Sequence, residues 1–511
     1  MTSFKSHMMS GAALVALVSS TGAYADVTPE QVWSDWQAYM AASGYTLTAT
    51  EARSGDELAV TNIVMVTEIP EEDVSITLTM AEMTLTDNGN GTVSIGLPET
   101  LPLSVLVEAA GEDPVNVAAS YTTKDWSGVV SGDPDNILYT YSAALLGLAI
   151  DEITVDQVTL PMSTIGKAEM SVANIAGSST SKSGALYEIA QKITAGAVSY
   201  VVDATDPDGA EGRLILQGSA DSVDTAVVAA LPADGDMNDM GAMLKQGFAV
   251  DATLSFTGGT MDVNFNDTGE IFQLKSKSDT SDFGVAMNED GLSYAISSTA
   301  QDISVAGTDI PFPVELSAQE NGLSLQMPVS ARDELQPFGM DVTLADFVMS
   351  DLLWGLVDPT GQLPRDPATV AVALSGTAKL LVDIMDPMAL AQSSAGGAQP
   401  GELHSLDVKG LTVRAAGAEL LGDGAFTFDN SDLTTFDGLP APTGKLNLAL
   451  AGGNGLLDKL VAMGLIPDQE ASGVRMMMGL FAVPGSEPDT LTSTIEVQGN
   501  GQIFANGQRI Q

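Results

Sequence analysis

Apolar and polar residues alternate with a two-residue period through most of this chain. Residues 74–80 read Val-Ser-Ile-Thr-Leu-Thr-Met, and Met261, Val263 and Phe265 alternate with Asp262 and Asn264. Leu292, Tyr294 and Ile296 alternate with serine and alanine, and Leu323, Leu325 and Met327 with serine and glutamine. Turn-forming pairs punctuate these runs at Asn88-Gly89, Gly258-Gly259, Asp290-Gly291 and Asn321-Gly322. Strands at such regular spacing predict an antiparallel meander with one apolar and one wet face, purest over residues 248–329. The expected fold is mainly β (α+β): long twisted antiparallel sheets with a few amphipathic helices covering one face.

Three stretches depart from alternation. Thr28-Pro29-Glu30-Gln31 places a cap, a proline at the first helical position and a capping-box glutamine ahead of the stripe Val32, Trp33, Trp36 and Met40. Leu344, Phe347, Val348, Leu352 and Leu356 recur at three- and four-residue spacing with Trp354 nearby, predicting a helix over 344–356 that Asp358-Pro359 stops. Val370, Val372 and Leu374 then resume a strand. Leu456, Leu457, Leu460, Val461 and Leu465 predict a third helix ending at Pro467, with a further helical segment over 468–481. The second and third helices are each followed by a proline-containing turn and a strand, an echo consistent with a repeated helix-on-sheet unit. Smaller readings are a short helix over 237–246, a polar loop over 178–183, and a segment over 184–194 that is helix or strand.

The N-terminal 25 residues read as a secretory signal peptide. Lys5 and His7 precede an apolar run over 8–18, and Ala23-Tyr24-Ala25 offers a small-residue cleavage site. The expected organisation is therefore a signal peptide (1–25), a β-rich region with a leading helix (26–247) and a β-rich region with two helix-on-sheet units (248–511). The length of 511 residues allows about two to four domains. No later run is long enough for a transmembrane helix. Export to the periplasm is the expected location.

Composition narrows the partners. Sixty-seven acidic residues against 19 Lys plus Arg, a formal net charge of −48, repel nucleic-acid phosphates and anionic membrane surfaces at long range. Aromatics make up only 5% of the chain, so the core must be mainly aliphatic. With no cysteine, disulfides and thiolate chemistry are excluded, and one histidine beyond the leader, His404, makes a zinc site or a catalytic triad a poor fit. His404 reads as an exposed loop residue. Ser179-Thr180-Ser181-Lys182 matches S-x-x-K, but matches at this rate are expected by chance and no companion motif follows. Of three acidic turns, at 87–91, 203–211 and 234–239, the second and third fail the helix-loop-helix calcium pattern, and a non-helical calcium site on one of the three is the open alternative. Paired carboxylates of the glycosidase kind lack the aromatic platforms that sugar clefts use. The reading is of a non-enzyme without cofactor or metal.

Leu363-Pro364-Arg365-Asp366-Pro367-Ala368-Thr369, the segment Gly464-Leu465-Ile466-Pro467 and the ending Gly501-Gln502-Ile503-Phe504-Ala505-Asn506-Gly507-Gln508-Arg509 resemble the secreted alphaproteobacterial proteins grouped as domain of unknown function 2125. The resemblance covers about the final third of the chain and implies no activity and no functional residue. At fold level only, the closing Asn-Gly strand pair and helix-on-sheet rhythm are similar to AsmA-like envelope proteins, which implies long sheets with an apolar groove for lipid. The expected function is to hold a lipid or other apolar ligand between helix and sheet, with Phe347, Leu352, Trp354 and Leu356 facing the groove. The alternative is a structural or interaction component of the envelope, with Trp33 and Trp36 meeting a partner protein.

Overall fold

One antiparallel ribbon of 27 strands forms the framework of the computed structural model, which describes residues 26–69, 73–206, 212–236, 239–395 and 399–511. The proposed signal peptide lies outside the described residues. Most pairings join strands adjacent or nearly adjacent in the chain. Thr46–Ser54, Glu57–Ile69 and Val74–Asp87 form the first columns. Long strands Asn136–Val155, Gly166–Lys182 and Ala249–Asp267 then each span two shorter strands laid end to end. From Ala249 the chain is a plain meander through Glu270–Asn288, Gly291–Gly307, Ile310–Met327, Gln336–Met349 and Ala368–Leu380 to Ala441–Ala451 and Thr490–Val497. The ladder crosses the expected boundary at residue 247 without a break, because Ala249–Asp267 pairs with both Arg213–Ala220 and Ser222–Pro232.

A transverse line of backbone kinks crosses this ribbon. Asn62, Asn174, Gly258, Ala300 and Asp346 all sit inside strands with φ of 51°, 50°, 63°, 47° and 49°. The ladder skips a pair opposite each: Thr61↔Glu82 resumes at Ile63↔Met80, and Thr257↔Thr280 at Gly259↔Ser278. The breaks at Gly196 and Asp221, each between two collinear strands, lie on the same line, their amides bonding to Ala173 and Thr257 beside the kinks. One residue out of the extended conformation adds a step to the two-residue side-chain period, so the residue two before it and the residue one after it stand on the same face. Val60 and Ile63 accordingly enter the same buried cluster, three residues apart. The apolar set moves in step: Leu254 and Phe256 before Gly258, then Met261, Val263 and Phe265; Leu292, Tyr294 and Ile296 before Ala300, then Ile303 and Val305.

This line explains the main correction to the sequence reading. Residues 344–349 are not helical; Gln336–Met349 is a strand, and the helix is only Asp351–Val357. The three-residue step from Leu344 to Phe347 that reads as helical periodicity is the kink at Asp346. Beyond this strand the ribbon loses the half on one side of the line, since Ala368–Leu380 begins opposite Phe347. Residues 178–182 are likewise strand rather than loop, and Leu186–Ala195 settles the ambiguous segment as strand.

The leading helix forms as its caps dictate. Thr28 and Gln31 make the reciprocal capping box, and Pro29–Ala42 follows. It packs against the first three strands and also against Leu186–Ala195, which lies several columns further along the ribbon. One helix can touch strands so far apart only if the sheet curls around it. A second cluster, Tyr187, Leu231, Met243, Leu244, Phe248 and Val329, receives Ala42 and closes the strand ends beside the short helix Met240–Lys245. At the far end, Gly453–Ala462 and Asp468–Phe481 pack on each other, the first also touching Ala418–Asp429. The echo between the two later units does not extend to their caps. Asp489 accepts from the Asn454 and Gly455 amides at the N-terminus of Gly453–Ala462, whereas Asp358 folds back on its own turn to accept from Leu363.

Between these ends the sheet is bare. The accessible surface is 28820 Å², against roughly 18,000 Å² for a compact chain of 52.7 kDa. Left-handed φ costs an alanine about 1–2 kcal/mol, whereas glycine adopts it freely. Ala300→Val is therefore expected to lower stability by about 1–2 kcal/mol and Ala300→Gly to leave it unchanged or raise it, as read from urea midpoints. A loss in both would remove the kink from the list of constraints on this strand.

Candidate functional site

Direct cross-strand partners stand on the same face of a sheet, so the ladder traces which residues share a surface. Starting in the curled end, Tyr141 pairs with Gly177, Gly177 with Ile193, Ile193 with Thr225 and Thr225 with Leu254. The row continues Leu254, Phe283, Ile296, Leu323, Val342, Val372, Leu411. The interior of the curl and the exposed apolar face of the meander are one surface. On its open part Ile296 is 46% and Leu323 40% exposed. From Leu254 to Leu448 this surface crosses about 40 Å of sheet at the usual strand spacing.

In the curl the surface closes into a cavity of about 650 Å³ between the leading helix and the sheet. Trp36, Tyr39, Trp126, Tyr139, Tyr141 and Tyr187 line it, with Leu146, Val172, Ile175 and Ile193 from both sides of the kink line. Tyr39 stacks on Tyr187 and Trp126 on Tyr141, at 5.8 and 6.3 Å between ring centres. Seven of the chain's 13 tryptophans and tyrosines thus line one place, counting Tyr121. A larger hollow of about 840 Å³ opens on the opposite face among Lys167, Glu169, Ser171, Asp262 and Lys275. Its charges are already paired, Lys167 with Glu169 and Lys275 with Asp262, and its walls are solvated sheet surface.

Asp35 is the polar centre of the aromatic cavity. It lies on the leading helix between Trp33 and Trp36 and is 8% exposed. Tyr139 donates to its Oδ2 at 2.7 Å, and the Ser181 hydroxyl lies 2.8 and 2.7 Å from its two oxygens. The Tyr187 hydroxyl reaches the Asp35 backbone carbonyl at 3.4 Å. No lysine, arginine or histidine lines the cavity among the described residues. Burial pushes the Tyr139 and Tyr187 phenols far above 10.0, and the Asp35 charge pushes both further. Burial also raises Tyr141, an effect that the Gln191 amide, donating to its hydroxyl at 3.1 Å, partly offsets.

The residues expected at the site are distributed differently. Trp33 is 2% exposed, and its indole N–H donates to Glu51 at 2.7 Å, so it is core and not a partner surface. The stripe that exposes two tryptophans on a helical wheel is here wrapped by sheet. Trp36 packs beside that core and lines the cavity. Phe347 lies on the apolar face, sharing it with Met349 and Leu316. Leu352 and Leu356 are exposed on the short Asp351–Val357 helix, Leu356 at 68%, and Trp354 is covered by the Arg365 guanidinium. These three do not line the cavity or seal it. Asp358, whose carboxyl is held below the usual range by backbone and Thr360 hydrogen bonds that outweigh its burial, locks the turn behind them.

Other expectations resolve simply. Ser179 and Lys182 stand on opposite faces of one strand, and Lys182 pairs with Glu188, so the S-x-x-K spacing assembles nothing. His404 is half-buried on the strand Gly401–Ala415, not in a loop, with its Nε2 3.1 Å from Glu402. Groups of three or more potential metal ligands are absent among the described residues, which include only parts of the second and third acidic turns. The reading missed Asp35, Tyr139 and Ser181. An acid on the apolar stripe of a helix was the one signal available. No family model, curated protein or solved structure matches the chain.

Removing the Asp35 carboxylate leaves two buried hydroxyls without their acceptor. Asp35→Ala is expected to cost about 2–3 kcal/mol of stability by denaturant unfolding. The raised phenols give an alkaline signature. Unfolded tyrosines ionise near 10.0 while the folded ones stay neutral, so their stabilisation is complete below that pH and declines as pH rises above it. Melting temperatures from pH 8 to 12 should fall most steeply above about 10, and Tyr139→Phe should make that fall shallower.

Proposed function

We propose that this protein is an exported carrier or holder of an acyl-chain ligand, which lies along the apolar face and enters the aromatic cavity at its curled end. The observation that carries the reading is the continuity of one apolar surface from Tyr141 through Leu254, Phe283, Ile296 and Leu323 to Leu411. A bare apolar patch larger than a few hundred Å² is rare on a chain with no partner for it. The kinks hold this patch together at a cost in backbone strain, which random exposure would not require. The open part is built mainly of Val, Leu, Ile, Met and Phe, interrupted along the kink line by Ser298, Gln301 and Asn321, which bond one another, with serine, threonine and acidic residues on the reverse face, a division suited to alkyl chains rather than to sugars or nucleotides. Location in the periplasm belongs to the same proposal and rests on the leader-like residues 1–25.

Ligand binding is expected to fail before folding does when a charge is placed on the open face. Ile296→Asp and Leu323→Glu, at positions already largely exposed, should keep far-UV circular dichroism and the urea midpoint near those of the parent. Both should reduce recovery of co-purifying lipid, measured by extraction and mass spectrometry, by about tenfold. Parent protein that repeatedly carries no lipid, together with a dimer that dissociates on Ile296→Asp, would point to a second copy as the occupant and overturn the carrier reading.

A further inference from the structure

Resting on that reading, we infer that the cavity beneath the leading helix selects an alkyl chain bearing a cationic ammonium head group. Three observations meet there. Asp35 is a nearly buried carboxylate whose partners are all neutral hydroxyls, and it has no ion-pair partner among the described residues. No cationic side chain lines the cavity among the described residues, so its only formal charge is negative. Aromatic rings share the space with that charge: Trp36, Tyr39, Trp126 and Tyr141 line it together with Asp35. An ammonium group is attracted both by a carboxylate and by the electron-rich faces of aromatic rings, and the attraction strengthens where water is excluded. A carboxylate or phosphate head in the same place would meet Asp35 with no donor charge to offset it. The cavity opens onto the long apolar face through Ile193 and its ladder partners, which gives the head group's alkyl chain somewhere to lie.

The large negative charge of the whole chain attracts any cation at long range, but that attraction is screened within about 8 Å at physiological salt. A cation seated against Asp35 is close enough to escape most of that screening. The two contributions therefore separate with ionic strength.

The test is calorimetric titration of the full chain with dodecyltrimethylammonium, dodecanoate and dodecyl maltoside, each below its micelle concentration and in high salt. The ammonium probe should bind about tenfold tighter than dodecanoate. Asp35→Asn should weaken the ammonium probe by about tenfold and leave the maltoside within about twofold. Tyr39→Leu should weaken the ammonium probe several-fold; Tyr39 is a rim residue whose loss leaves the Asp35 network intact. If Asp35→Asn does not fold, the head-group comparison on the parent and the Tyr39→Leu result still decide. Equal binding of all three probes, unchanged by either substitution, would overturn ammonium selection while leaving an apolar site standing. Failure of all three to bind would overturn the acyl-chain reading beneath it.

Discussion

A left-handed residue in mid-strand is costly for most side chains, and this sheet repeats one along a single line from Asn62 to Asp346. The chain meets the cost mainly with asparagine, aspartate and glycine, the residues that tolerate this conformation. Gly258 has a second reason to be glycine, since a Cβ there would run into the Asp221 carboxylate. What the line secures is a side-chain register. Without the extra step, long strands such as Gly291–Gly307 would turn half of their apolar residues to the wet side. With it, Ile296 and Val305 serve one face although their numbers differ in parity. The shared apolar surface depends on that register.

The β-rich class, the capping box at Thr28 and the helices Gly453–Ala462 and Asp468–Phe481 were all legible in the sequence, because each rests on local rules. The kink line was not. Within one strand, a shift of parity looks like a loop, a turn or a helical step, and residues 344–349 were misread for that reason. Gly258-Gly259, read as a hairpin turn, lies inside the strand Ala249–Asp267. Only the alignment of Asn174, Gly258, Ala300 and Asp346 across neighbouring strands reveals one feature, and that alignment is a property of pairing rather than of any segment.

The candidate site was hidden for a related reason. Asp35 meets Tyr139 and Ser181 across more than a hundred residues of sequence, through the curl of the sheet around one helix. Trp33 and Trp36 were visible as a stripe, but which of them faced core and which faced cavity depends on strands on both flanks of the helix. The same curl links stability to the proposed binding. The carboxylate that fixes the helix against two strands is also the charge the cavity presents, so substitutions at Asp35 are expected to act on both.

The absence of cysteine from the chain allows the shared face to be read one position at a time. An environment-sensitive fluorophore would be attached at Ile296→Cys, Ser297→Cys, Ser304→Cys or Val305→Cys, and dodecyl maltoside titrated below its micelle concentration. A face held in register across Ala300 predicts that labels at 296 and 305 shift to the blue together while those at 297 and 304 stay in water. Joint shifts at 296 and 304, with 305 silent, would mean that the strand alternates without a kink and that the two halves of the sheet share no apolar surface.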